Sequence, residues 1–303
     1  MITDDSTVCE RSVATGVDDG VGTGVLLIQC PDRPGIVAHV SGFLSAIGAN
    51  IVEMTQFSTG GTANTFFQRT VFRFPDLDPT IVAVQERFQK EVAGRFQMNW
   101  QLTSAAGRPR IAVMVSRHEH CLLDLLWQAR GNDLPCDIDL VIGNHPNTAE
   151  VVHQHGVPFV HIPTPRGAKA VFEEQQLELL RGQFDLVVLA RYMQVLTEKF
   201  LTEVGCPVIN IHHSFLPAFM GADPYSQAKE RGVKVIGATA HYATAELDDG
   251  PIIEQDTARV SHTQTADDLR KIGADIERTV LTRAVRWHCE HRVRRFGNAT
   301  VVL

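Results

Sequence analysis

The stretch Val208-Ile209-Asn210-Ile211-His212-His213-Ser214-Phe215-Leu216-Pro217 starts as an apolar strand and ends in turn chemistry. Asn210 and His212 alternate with Ile209 and Ile211. On an extended chain the amide and the imidazole therefore point to one side and the isoleucines to the other. Working outward, residues 111–115, 138–142, 159–162 and 186–189 are further short apolar runs, and helical patterns sit at 121–128, 168–181 and 225–231. Near-continuous apolar strands alternating with helices predict a mostly parallel sheet covered on both faces. Residues 233–242 and 251–260 read as later strands, antiparallel to the rest, and 265–291 as a long closing helix. Ligands of such open sheets bind outside the carboxyl ends of the strands, which is where 210–217 would lie.

The N-terminal part has a different rhythm. Residues 25–30 read as a strand, and Cys30-Pro31-Asp32-Arg33-Pro34-Gly35 is turn chemistry. In 36–47 the residues Val37, Val40, Phe43, Leu44 and Ile47 share one helical face. Residues 50–58 and 64–74 read as strands around Gly60-Gly61, 79–92 as a second helix and 96–102 as a closing strand. This βαββαβ order predicts a ferredoxin-like domain over 24–103. A small, polar, proline-ended linker follows at 104–109, then a second domain over 110–303. The polar, acidic residues 1–23 lack the basic-then-apolar order of a signal peptide and read as a disordered leader.

Composition narrows the function classes. With 44% hydrophobic and 21% charged residues, the 303-residue chain has enough apolar content for two globular cores. A net charge of -7 argues against nucleic acid as a partner. No run of eighteen apolar residues is present, so no membrane span is expected, and a cytoplasmic location is. The six cysteines form no C-x-x-C pair and read as reduced thiols. Thirteen histidines include the close pairs His118/His120, His153/His155 and His212/His213. Without H-E-x-x-H or a cysteine pair they read as solvated or core residues, and no metal is expected.

A second segment, His241-Tyr242-Ala243-Thr244-Ala245-Glu246-Leu247-Asp248-Asp249-Gly250-Pro251, leaves a strand and turns at Gly250-Pro251. The two segments supply an amide, an imidazole and a carboxylate. Asn and His near a turn also serve as loop caps, and Asp-Asp-Gly alone is a common turn. Formyl transfer needs all three functions. Donors must meet a tetrahedral oxyanion, a nucleophilic water must lose a proton, and a departing nitrogen must gain one.

The order N-x-H-x-S-x-L-P at 210–217, followed by His241 and Leu247-Asp248-Asp249-Gly250-Pro251, resembles the formyltransferase family that uses 10-formyltetrahydrofolate. The resemblance covers roughly 110–303 and implies a Rossmann-like fold. It also implies Asn210, His212 and Asp248 as catalytic residues, with His241 in support. Leu189-Ala190-Arg191-Tyr192-Met193-Gln194-Val195-Leu196 is similar to the pterin-binding stretch. This implies folate contacts from Arg191, Tyr192, Met193, Gln194 and Leu196 on one side and from Ala243, Thr244, Glu246 and Leu247 on the other. A strand end entering a short helix is the plainer alternative for that stretch. The N-terminal half resembles the ACT domain, through Cys30-Pro31-Asp32-Arg33-Pro34-Gly35-Ile36-Val37 and Gly48-Ala49-Asn50-Ile51. That implies an amino-acid effector near Asp32, Gly35, Ile36 and Asn50, or a purely oligomeric role.

Within the superfamily, transfer to glycinamide ribonucleotide would call for a glycine-rich phosphate nest after the first strand. Residues 114–121 have no glycine there and carry Glu119. Methionyl-tRNA transfer would call for a basic RNA-binding domain, where this chain has only 292–303. The pairing of the two halves resembles the formyltetrahydrofolate deformylases. It implies water as acceptor, no cofactor beyond the folate substrate, a homotetramer, and a supply of formate for purine synthesis. The alternatives are phosphoribosylglycinamide formyltransfer and a non-catalytic folate or amino-acid sensor. The chain departs from the family at Met220 and Asp223, where basic residues are usual.

Overall fold

In the computed structural model the described residues are 21–61, 64–165, 167, 169–217 and 224–303. They fall into two compact units, one below and one above residue 106, with Thr55–Thr59 and Phe67–Arg69 grouped with the second.

The first unit begins with β1 (Val21–Pro31), so Val21 to Thr23 are strand, not leader. The Thr23 carbonyl accepts from Ala105 N at 2.7 Å, extending the β1 pairing past its apolar core. Residues 1–20 of the expected leader lie outside the described residues. Then come α1 (Ile36–Ala46), β2 (Asn50–Ser58) and β3 (Thr65–Pro75). Next are α2 (Leu77–Phe88), a π-turn at Gln89–Ala93, the single turn α3 (Gly94–Phe96) and β4 (Asn99–Ser104). The sheet order is β2-β3-β1-β4, with β1 antiparallel to β4 and Leu26 opposite Leu102. Ile36, Val40, Phe43 and Leu44 make one buried helical stripe on α1, packed on Leu26, Ile28 and Cys30 of the sheet.

The expected closing strand started too early. Phe96, Met98 and Trp100 alternate like a strand, but Phe96 ends the helix. Phe88, Val92, Ala93 and Phe96 are all buried at helical spacing, so the helix runs through its π-turn to keep them on the core. Gln97 at φ 54° then stops it.

In the second unit the parallel strands are β5 (Arg110–Val115), β6 (Asp137–Gly143), β7 (Phe159–His161), β8 (Leu186–Ala190) and β9 (Val208–His212). The helices α4 (His120–Arg130), α5 (Ala149–Gln154), α6 (Lys169–Leu180), α7 (Glu198–Glu203) and α8 (Pro224–Glu230) intervene. Last come β10 (Val235–Tyr242), β11 (Ile252–Arg259), α9 (Ala266–Cys289) and the hairpin β12 (Val293–Phe296) and β13 (Ala299–Val302). The seven-stranded sheet runs β11-β10-β9-β8-β5-β6-β7; both β10 pairings are antiparallel, so β10 alone runs against the other strands and β11, expected to do so too, runs with them.

Strand alternation explains the double coverage. Ile111, Val113 and Val115 join one core with α4 and α9, while Ala112 and Met114 join a second with α6 and α7. The isoleucine, valine and methionine side chains each contribute about 1.5–3 kcal/mol on full burial. The chain adds β6 and β7 on one side of β5 and then crosses to β8 on the other, so the switch point falls between β5 and β8.

Candidate active site

β9 delivers Asn210 and His212. Its antiparallel partner β10 sets Asn210 opposite His241 and His212 opposite Thr239. The end of β9 is held by polar bonds rather than by packing alone. Leu216 N donates to Thr239 Oγ1 at 3.0 Å, and Thr239 Oγ1 donates to the Ser214 carbonyl at 2.9 Å. Ser214 and Leu216 are thus scaffold. Asp248 comes from the loop between β10 and β11, which closes where Tyr242 N meets the Pro251 carbonyl at 3.0 Å. Gly250 makes that closure fit, because a Cβ there would lie 1.7 Å from the Tyr242 carbonyl oxygen.

Asp248 Oδ2 lies 3.3 Å from His212 Nδ1, and Oδ1 lies 3.8 Å from His241 Nε2. The hydrogen bond from His212 outweighs the penalty of burial and holds the Asp248 carboxyl below its usual range, so it is a carboxylate. His241 Nδ1 sits 3.0 Å from the Tyr242 carbonyl, which requires the N–H there. Its Nε2 lone pair then accepts from the Asn210 amide at 3.2 Å. Burial lowers the His241 pKa, in keeping with a neutral ring. His212 directs Nδ1 to Asp248, and its buried Nε2 has no hydrogen-bond partner among the described residues.

These groups border a cavity of about 380 Å³. Asn210, His212, His241 and Asp248 line it together with Arg191, Tyr192, Met193, Gln194, Leu196, Ala243, Thr244, Glu246 and Leu247. The structure thus brings the expected catalytic and folate residues to one place. Their roles are not equal. Met193 and Leu247 are 48% and 62% exposed, apolar lining residues that reach solvent. Two polar ends turn away from the cavity. The Arg191 guanidinium is held by Glu277 at 3.2 Å, and the Tyr192 hydroxyl accepts from Gln176 at 2.8 Å. Burial pushes the Tyr192 hydroxyl up to about 12. Sequence reasoning missed Leu189, Val195, Leu201, Ile211, His213 and Ala245 in the lining. Val195 and Ala245 sit inside the two motifs that were read, so contiguity was their signal. Met220 and Asp223 lie outside the described residues.

Asp32, Gly35 and Ile36 form the exit of β1 and the entry to α1, and Asn50 opens β2. The Asp32 carboxylate accepts from Asn64 at 2.7 Å, Gly35 sits at φ 95°, and the Ile36 side chain is buried in the core. Among the described residues one group has metal-ligand proximity, namely His120, Cys121 and Glu277. Its carboxylate is already occupied by His120, Arg191 and Tyr225. Burial, first among several causes, holds the Cys121 thiol well above its usual range. That donor set is an internal ion-pair cluster.

A doubly covered sheet that carries an amide and an imidazole on β9 and a carboxylate on the loop after β10 defines a formyl-transferring catalytic unit, here preceded by a ferredoxin-like one. Residues 109–285 match the formyl transferase family and residues 24–87 the ACT domain. Formyltetrahydrofolate deformylase from Mycobacterium tuberculosis is 54% identical over 92% of this chain and 90% of its own length. The protein of that name from Bacillus subtilis is 46% identical over 94% and 95%. A crystal structure of a formyltetrahydrofolate deformylase from Pseudomonas syringae superposes with a TM-score of 0.88 at 44% identity, covering 94% of this chain and 96% of that one. The chain belongs to the formyltetrahydrofolate deformylase family.

Proposed function

We propose that the chain hydrolyses 10-formyltetrahydrofolate to tetrahydrofolate and formate. One observation carries this: the buried Nε2 of His212, unpartnered among the described residues and backed by a carboxylate, at the wall of an apolar slot. The slot between 193–196 and 243–247 suits a flat pterin. Relatives that share both domains over nine-tenths of the chain are deformylases, so formyl transfer to glycinamide ribonucleotide and a non-catalytic sensor are not favoured.

The residues divide the chemistry as follows. Asn210 gives one amide hydrogen to His241 and offers the other to the formyl oxygen. Asp248 holds His212 Nδ1–H with Oδ2 and steadies the attacking water with Oδ1. His212 Nε2 takes the water proton as the hydroxide adds to the formyl carbon. The resulting imidazolium faces the oxyanion, then gives that proton to the departing folate nitrogen. The carbon–nitrogen bond breaks and the acid leaves as formate. Water is the acceptor in this reading. Glu119, at the head of α4, stands where a substrate phosphate would be repelled.

The released formate would feed purine synthesis and balance the one-carbon folate pool. We place the protein in the cytoplasm as a homotetramer, with the ACT half offering a site to an amino-acid effector. Among the described residues no helix is long and apolar enough to cross a membrane. The test is formate release from 10-formyltetrahydrofolate by purified protein, with no amine acceptor and no added metal. Formate and tetrahydrofolate are expected together. Transfer to glycinamide ribonucleotide without hydrolysis would overturn water as acceptor, and silence in both assays would favour the sensor.

A further inference from the structure

The cavity wall at 191–197 is an irregular segment that leaves Met193 and Val195 48% and 52% exposed. Its own apolar side chains bury little beyond Tyr192 and Leu196, so packing alone does not fix its shape. Buried polar groups do so at both ends.

At the first end Arg191 adopts φ 61°, an uncommon conformation for a side-chain-bearing residue. Its guanidinium meets both oxygens of Glu277 at 3.2 Å. The Glu277 side chain is 2% accessible and also takes His120 Nε2 at 2.7 Å and the Tyr225 hydroxyl at 2.6 Å. Gly273 makes room for this, since a Cβ there would lie 2.0 Å from the Tyr225 oxygen. At the other end Glu173, buried on α6, accepts from Thr197 N at 2.9 Å and from Thr197 Oγ1 at 2.6 Å. Between them Ser116 Oγ accepts from Met193 N at 3.0 Å. Two buried carboxylates on separate helices, α9 and α6, thus grip the ends of one seven-residue segment. Neither lines the cavity.

Building on the folate reading above, we propose that Glu277 and Glu173 are positioning residues that hold the 191–197 segment in its substrate-ready shape. Preorganisation lowers the ordering cost of binding. Its loss therefore falls on KM before kcat, because the catalytic trio comes from other elements, β9 and the 243–250 loop.

The test pairs two readouts on the full chain, using Glu277→Gln and Glu173→Gln. The first is amide hydrogen exchange without substrate. Faster exchange at Met193 in Glu277→Gln and at Thr197 in Glu173→Gln is expected, with the amides of β9 unchanged. The second is steady-state formate release. KM for 10-formyltetrahydrofolate should rise about tenfold, equivalent to about 1.4 kcal/mol, with kcat within about twofold. Should Glu277→Gln fold poorly, Thr197→Val releases the hydroxyl from the opposite grip and should give the same split. Wild-type turnover with KM unchanged in the variants overturns the clamp alone. A parallel fall in kcat and stability with KM fixed does so too. Wild-type protein that releases no formate overturns the folate reading, and with it the purpose assigned to the clamp.

Discussion

His212 and Asp248 illustrate how much of the chemistry rests on single atoms. The carboxylate fixes which ring nitrogen is committed and which is free. Asp248 also sits at φ 57°, in the left-handed region. Asparagine tolerates that conformation well, so Asp248→Asn adds no backbone strain and should fold, losing only the carboxylate's own contribution to stability. It removes the charge that supports an imidazolium and the fixed acceptor that orients the ring. We expect kcat to fall about 10³-fold, in the range of a lost acid–base partner, with KM changed less than about threefold. Full turnover in that variant would reject the assigned role. The depressed Asp248 pKa has a stability sign as well. Its contribution is present above the unfolded pKa of about 4 and is lost as pH falls through the lower folded value. The carboxylate is therefore ionised at any neutral working pH.

At the scale of elements, the β10–β11 connection shows what one glycine permits. Gly250→Ala pushes a methyl group into the Tyr242 carbonyl, and a 1.7 Å approach to backbone cannot be relieved by a rotamer change. The loop must open, taking Asp248 with it. We expect a destabilisation of about 2–4 kcal/mol, within the range for overpacking against backbone, and a further loss of kcat in the fraction that stays folded. Normal kcat in folded Gly250→Ala would mean that loop closure does not position Asp248. The same element scale separates what the sequence disclosed from what it hid. Strands β5 to β9 were legible because each is an apolar run followed by a helix. The trio was legible because Asn210 and His212 share one strand, and Asp248 ends a short motif. Phe96 misled because strand alternation and the end of a helix coincide there. The β12–β13 hairpin was passed over although Gly297-Asn298 between two β-rich runs is a turn signal. The clamp could not be read at all, since Arg191 and Glu277 are 86 residues apart and nothing local pairs them.

For the molecule as a whole, acid sensitivity follows from histidines folded as neutral rings. Burial lowers the pKa of His118, His241, His288 and His291, all above residue 106. His288 is the clearest, brought down to about 4, foremost by burial and then by its neighbours His291 and Arg295. Its Nδ1 shares a 2.8 Å bond with the Tyr242 hydroxyl, joining α9 to the strand that carries His241. Above an unfolded pKa of about 6.5 neither state of His288 holds the extra proton, and its contribution is fully present. Between about 6.5 and 4 the unfolded chain binds a proton that the folded one refuses, so stability declines as pH falls. Below about 4 both states are protonated and this decline ends. One proton corresponds to a slope of about 1.4 kcal/mol per pH unit. His288→Asn keeps an acceptor for the Tyr242 hydroxyl but cannot titrate. The slowest-exchanging amides of α9, followed from pH 7 to pH 5, should therefore lose protection less steeply in the variant, by about one proton's worth of slope. The other three rings would supply the slope that remains. An identical slope in both proteins would place the acid sensitivity in those rings alone, and would reduce the His288–Tyr242 bond to a pH-independent tie between α9 and β10.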